Sequence, residues 1–341
     1  MASMMPLRFA PRRYLRTKEP FTTTSISEAE EDADAEGDAD AEEDADAEED
    51  ADVEEGKEGK EGKDKNKIRK DYDNEAELAI SSNVTSNVSI QTRSHDIDVT
   101  DTPGRGKCVA FDGRVQFCTH DEHVYHEMLV HFAAQYLPGA APRRVLIAGG
   151  GDCLALREVL KYQSITEVVV LERDEGIVGV SENHLLLDSG RKDPRVTWLF
   201  GDNPTELLER LRNQSGGRRI RTGATFDLII IDHKDRPGKD SYANLTFYRE
   251  ARGLMSHSGV LVRNGLRHQR TLATVFGHTL SYAFTVADEK EITMVIAADF
   301  VLDAHVVDDS ALKRHKVHAR YYKPETHSSY LKPPSVLPPT I

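Results

Sequence analysis

The chain has 341 residues, room for one large domain or two modest ones, with 38% hydrophobic residues and a formal charge of −14. That hydrophobic share is low for a chain that is globular throughout, so part of it is expected to lack a packed core. No segment approaches ~20 consecutive apolar residues and no apolar signal core is present, which argues against membrane spanning and secretion.

In chain order, the first 18 residues carry Arg8, Arg12, Arg13, Arg16 and Lys18 with no acid, followed by Thr22, Thr23, Thr24, Ser25 and Ser27. This composition suits either an ordinary basic N-terminus on a cytoplasmic protein or an organelle transit segment. Between Glu28 and Glu55 lie 18 acidic residues and no Lys or Arg. Removing those 18 charges from −14 leaves the remainder near +4, so the acidity describes a tail and not the folded body. Its Ala-Asp-Ala-Glu-Glu-Asp units offer too little apolar surface to offset chain entropy, and a solvated tail is expected, with basic-partner binding as the alternative. A Lys, Glu and Gly linker follows, giving a disordered region over 1–75, a small β-domain over 76–120 and a larger domain over 121–341. Cys108, Cys118 and Cys153 are odd in number and lack metal-ligand spacing, so a reducing compartment is expected and structural zinc is not.

Short β-prone pieces at Val88–Gln91, Ile97–Thr100 and Lys107–Phe111, with turn residues at Asp101–Gly106 and Asp112-Gly113, predict a small antiparallel sheet. Asp121 is placed to cap a helix whose apolar stripe is Val124, Met128, Leu129, Phe132 and Tyr136, stopped by Pro138-Gly139. Strands are then predicted at Arg144–Gly149, Glu167–Glu172, Arg195–Phe200, Phe226–Asp232 and Gly259–Arg263, separated by helical stretches. Continuous β-branched runs such as Val168-Val-Val-Leu171 and Leu228-Ile-Ile-Ile231 mark strands buried on both faces, hence a doubly wound, mostly parallel α/β sheet of Rossmann-like type. Phe284–Ala287 and Ile292–Ala297 are expected to form an antiparallel edge hairpin.

Gly149, Gly150, Gly151 and Asp152 follow the first of these strands and lead into a helix, at the sheet edge where open α/β folds bind nucleotides. Glu172 ends the next strand, 20 residues beyond Asp152, where an acid holds ribose hydroxyls in this class of site. The dinucleotide pattern lacks its third glycine, and a carboxylate in the loop repels pyrophosphate but attracts an amine or sulfonium. Asp202 and Asp232 close two more strands. A single acid after a strand caps the next helix more often than it binds a ligand, but four in register point to a cation-binding edge.

Three blocks, Phe111–Gln116, Asp121–Leu129 and Val145–Asp152, resemble the polyamine aminopropyltransferases, the spermidine and spermine synthases. Leu156–Leu160, Asp193–Val196, Phe226–Asp232 and Tyr321-Tyr322 with His327 and Tyr330 are similar as well. The resemblance covers about residues 95–335 and implies a small β-domain on a Rossmann-like, methyltransferase-like domain, usually as a homodimer. It implies no metal and no cofactor, with decarboxylated S-adenosylmethionine as co-substrate and a small polyamine, putrescine or spermidine, as acceptor. Neither nucleic acid nor membrane is an expected partner.

By the same resemblance Glu172 would hold the ribose, Asp202 with Asn203 the adenine side, and Asp152 the aminopropyl amine. Asp232 would be the base with Tyr125 beside it, while Gln116, His126 and Asp235 would line the polyamine channel. The chain departs from the family pattern at Cys153-Leu154, around His95-Asp96, in the Asp232–Lys239 loop with its Lys234, Arg236 and Lys239, and in the shortened Val286–Ile292 segment. Donor binding is therefore better supported than acceptor identity. The alternatives are a methyltransferase and a catalytically impaired adenosyl-sulfonium-binding protein.

Overall fold

The computed structural model describes residues 86–213, 225–233, 242–286, 291–303 and 307–332. The chain divides into units 1–58 and 59–341, and every described residue belongs to the second. The acidic tail, the linker, Asp235 and the three cations around it lie outside the described residues.

Four strands, β1 (Ser86–Gln91), β2 (Asp96–Thr102), β3 (Gly106–Phe111) and β4 (Arg114–Cys118), form an antiparallel sheet in sequential order. Asp112 and Gly113 both take positive φ, 50° and 75°, the left-handed pair that closes a two-residue hairpin with the twist of its strands. The inward face, Ile97, Val99 and Val109, packs on Ile177 and Val180 of helix α3 (Glu175–His184). Asp174, at the N-cap of α3, accepts from Gly176 N at 2.9 Å and from Ser94 N at 2.8 Å. One carboxylate thus caps the helix and fastens the β1–β2 turn to it.

The antiparallel pairing of β3 with β4 sets Cys108 opposite Cys118, and the two form a disulfide. The odd cysteine count did not anticipate this pairing. Ten residues of separation around a tight turn face the two thiols across a ladder, a pairing set by register and not by spacing motifs.

The second sheet has seven strands in the order β10-β11-β9-β8-β5-β6-β7. Parallel pairing joins β5 (Arg144–Gly149) to β6 (Glu167–Glu172) and β8 (Phe226–Asp232), β6 to β7 (Val196–Phe200), and β8 to β9 (Met255–Asn264). The expected edge hairpin is present, but β10 begins earlier, at His278–Thr285, and pairs with β11 (Glu291–Ala298) up to Thr285 opposite Glu291. Alternate residues serve two cores. Val145, Ile147 and Val168 face one apolar layer, and Leu146, Ala148 and Val169 face the other, as a sheet covered on both sides requires.

Before β5, helix α1 (Glu122–Glu127) continues into a π-turn over Met128–Phe132. Asp121 makes no side-chain cap, contrary to the expectation; the helix start is held by Val124 N bonding to the Asp121 carbonyl at 3.0 Å. The carbonyl of Met128 accepts from the Tyr282 hydroxyl at 2.9 Å, which anchors the π-turn to the edge hairpin.

The aromatic C-terminal segment secures the same helix. Glu127 accepts from the backbone N–H groups of Arg320, Tyr321 and Tyr322 at 2.7, 2.7 and 3.0 Å. His327 stacks on Phe132 at 3.7 Å and is hydrogen-bonded between the Tyr136 and Tyr322 hydroxyls. Burial pushes its pKa down to about 4, so it is a neutral ring that donates to one tyrosine and accepts from the other. Among the described residues no helix is long and apolar enough to cross a membrane.

Candidate active site

Four neighbouring parallel strands, β8, β5, β6 and β7, bring Asp232, Asp152, Glu172 and Asp202 to one edge of the sheet in that spatial order. The glycines make the edge compact. Gly149 and Gly150 have φ of 87° and 79°, and a Cβ on Gly149 would lie 2.4 Å from the Asp232 carbonyl oxygen. Gly150 N donates to that carbonyl at 3.1 Å. The loop after β5 is thereby pressed against the end of β8, and Asp152 and Asp232 become neighbours.

His126 reaches this pair from α1. One ligand atom from each of His126, Asp152 and Asp232 lies within 4.8 Å of the others. Its Nε2 is 3.8 Å from Asp152 Oδ2, while its Nδ1 is 2.6 Å from the Glu122 carbonyl oxygen and 3.2 Å from Glu122 Oε2. Burial would lower the His126 pKa, but the bonds to Asp152 and Glu122 and the charges of Asp152 and Asp232 outweigh it and raise it to about 10. Glu122 is held in turn by the two-pronged guanidinium of Arg157, at 2.9 and 2.8 Å. Burial raises the Glu122 carboxyl, and the bonds from His126 and Arg157 overcome that and hold it at about 2.

Tyr125 borders the same cluster, its ring 5.0 Å from that of His126. Burial first, then the charges of Asp232 and Asp152, push its hydroxyl well above the ordinary tyrosine value, so it is neutral and able to donate.

Asp152 serves two partners, accepting from Leu154 N at 2.9 Å through Oδ1 and facing His126 through Oδ2. Helix capping and cation binding are therefore not exclusive readings of this residue. Next to it Cys153 is buried with φ of 66°, the left-handed conformation that glycine adopts without strain.

Glu172 is buried and supports the glycine loop. It accepts from Gly151 N at 3.0 Å, Arg173 N at 2.6 Å and Asp174 N at 3.1 Å. Burial raises its pKa to about 7, partly opposed by those three donors.

The remaining expected residues lie farther along or outside this cluster. Asp202 is exposed and pairs with Arg93 of the β1–β2 turn at 2.5 Å. Asn203 accepts from Thr205 N at 3.0 Å and so caps helix α4 (Pro204–Asn213). Gln116, on β4, donates to the Arg114 carbonyl at 2.9 Å. Asp235 lies outside the described residues. Glu122 and Arg157, central to the cluster, were absent from the sequence-derived set; the available signal was the spacing of Glu122 four residues before His126, one helical turn.

The sequence profile of the spermine/spermidine synthase domain matches residues 122–281, the stretch that contains α1, the glycine loop and all four strand-end acids. A polyamine aminopropyltransferase of Pyrococcus abyssi is 30% identical over 260 residues, covering 70% of this chain and 86% of that protein. The chain belongs to the polyamine aminopropyltransferase family. The Thermococcus kodakarensis relative of the same description is 29% identical over 264 residues, covering 72% of this chain and 86% of its own length. Spermidine synthase from Thermotoga maritima shares the fold, with a TM-score of 0.62 at 24% identity over 74% of this chain and 86% of that one. A spermidine synthase solved with the transition-state analogue AdoDATO gives a TM-score of 0.63 at the same identity. Both place the seven-stranded domain among methyltransferase-like folds, and the family makes the chain a transferase.

Proposed function

We propose that this aminopropyltransferase moves the aminopropyl group of decarboxylated S-adenosylmethionine to putrescine or spermidine and releases methylthioadenosine. The observation that carries the reading is the pairing of Asp152 with Asp232 at one sheet edge, against the buried Tyr125 and His126. Polyamines and the sulfonium donor are cations, and two adjacent carboxylates attract them. In this reading Asp152 binds the donor's amine and Glu172 its ribose, with Asp202 and Asn203 toward the adenine. His126, Gln116 and Asp235 line the acceptor's path.

The acceptor amine attacks the carbon beside sulfur. A C–N bond forms, the C–S bond breaks with its electrons passing to sulfur, and Asp232 takes the amine proton. Sulfur leaves neutral, so no oxyanion needs stabilising. Tyr125, held protonated, orients the Asp232 carboxylate. The proposal includes no metal and no cofactor: both nitrogens of His126 face oxygen acceptors, and an imidazolium has no lone pair to offer a metal ion.

The acceptor identity, a homodimeric state and the absence of nucleic-acid or membrane partners belong to this proposal. So does a cytoplasmic location, with an organelle as the alternative; the Cys108–Cys118 disulfide removes cysteine count as an argument for either. The test is incubation of the full chain with decarboxylated S-adenosylmethionine and each amine, with mass-spectrometric detection of methylthioadenosine and product. Release of neither would reject the proposal, and consumption of ordinary S-adenosylmethionine with a methylated product would replace it.

A further inference from the structure

Both ring nitrogens of His126 face acceptors. Nδ1 lies 2.6 Å from the Glu122 carbonyl oxygen and 3.2 Å from its carboxylate, and Nε2 lies 3.8 Å from the Asp152 carboxylate. A neutral imidazole carries one N–H, which the short contact to the carbonyl claims for Nδ1. Its Nε2 lone pair would then confront the Asp152 carboxylate, an arrangement of two acceptors that turns the carboxylate aside. With Asp152 ionised, the doubly protonated ring satisfies every contact, the one at 3.8 Å as an ion pair.

That ring is held from one side by Glu122, which is 6% exposed and gripped by the Arg157 fork at 2.8 and 2.9 Å, with Arg320 a further 3.6 Å from Glu122 Oε1. Arg157 is fixed again by Glu158 at 2.9 Å. The charged groups facing His126 are therefore Glu122 from its own helix, Asp152 from the loop after β5 and Asp232 from the end of β8, with the neutral Tyr125 beside it.

We infer that Glu122 and Arg157 are positioning residues for the donor's amine: they hold His126 as an imidazolium whose Nε2–H aims the Asp152 carboxylate. The inference rests on the proposed role of Asp152 in binding that amine. Its consequence is a site of two carboxylates and one built-in cation. An arriving ammonium group meets an Asp152 already oriented, and His126 binds no proton of the reaction itself. The pair acts at one remove, through His126, and touches no substrate.

Glu122→Gln removes one of the three carboxylates that face His126 and keeps the shape. The His126 pKa then falls, while Asp152 and Asp232 still oppose the lowering by burial, and the second proton is lost at a lower pH than in the parent. The donor KM of E122Q, divided by that of the parent at the same pH, is expected near 1 at pH 6 and clearly above 1 at pH 8.5, with kcat at saturating donor little changed. Taking the ratio cancels the titration of Glu172, common to both proteins. Arg157→Lys, which keeps one charge without the fork, should fall between the two.

Histidine NMR of the full chain provides the second measurement, with the His126 signal among the 14 histidines assigned by its loss in His126→Gln. In the parent it should not titrate below pH 9, and in E122Q its midpoint should move down by about one pH unit or more. A parent His126 that titrates near 6.5, or an E122Q ratio that is elevated equally at both pH values, would overturn the inference. A parent that releases no methylthioadenosine at any pH rejects the proposed function instead, and the NMR titration still decides the state of His126.

Discussion

Glu172 offers four acceptor positions when ionised, and three of them are filled by the backbone donors of Gly151, Arg173 and Asp174. One position on Oε2 is left, on the oxygen that also braces the glycine loop. Glu172→Gln keeps two lone pairs on the oxygen facing Arg173 and Asp174 but puts an NH2 opposite Gly151 N–H, donor against donor. Losing a hydrogen bond to a charged acceptor costs roughly 1.5–3 kcal/mol, which corresponds to an affinity loss of roughly 10- to 150-fold.

A pH effect follows from the same residue. Because burial raises its carboxyl to about 7, the acceptor form is lost as pH falls through 7, and affinity falls with it. If only the ionised form binds the ribose, the parent should bind methylthioadenosine on the order of 10-fold more weakly at pH 6 than at pH 8. Calorimetric titration of methylthioadenosine into parent and E172Q at both pH values reads each quantity. Equal dissociation constants for the two proteins at pH 8, with no pH dependence in the parent, would remove Glu172 from the donor site.

Asp232→Asn preserves the hydrogen-bonding shape and removes the proton acceptor, so turnover should fall at least ~100-fold while methylthioadenosine still binds; steady-state kinetics with calorimetry separates the two. Ordinary S-adenosylmethionine carries a carboxylate beside its amine, and at ~4 Å from Asp152 the repulsion is on the order of 4 kcal/mol, before His126 offsets part of it. Competition binding should therefore show decarboxylated donor preferred by 10-fold or more, with Asp152→Asn narrowing the gap and still accepting the Leu154 N–H through its amide oxygen. Reducing the Cys108–Cys118 disulfide, whose cysteines are 10 residues apart, should lower unfolding stability by roughly 2–3 kcal/mol in denaturant titrations without changing methylthioadenosine affinity.

The doubly wound sheet was legible because burial on both faces leaves a local trace: β-branched runs at Val168–Leu171 and Leu228–Ile231 are continuous and not alternating. The glycine loop and the strand-end acids were legible for a similar reason, since in a parallel sheet all strands end at one edge, and a carboxylate at each end is placed before any packing is known. What each acid contacts was not encoded locally. Asp202 meets Arg93 across 109 residues, and Glu122 meets Arg157 across 35, contacts set by how the small sheet sits on α3 and how α1 lies beside helix α2 (Leu154–Leu160). The Cys108–Cys118 pair required the β3–β4 register, and the charge on His126 required knowing that both of its nitrogens face oxygen. Sequence periodicity thus determined the elements and the edge where chemistry gathers. Pairing geometry between elements distant in the chain decided which carboxylates face a cation, because side-chain direction depends on register and packing and not on residue type.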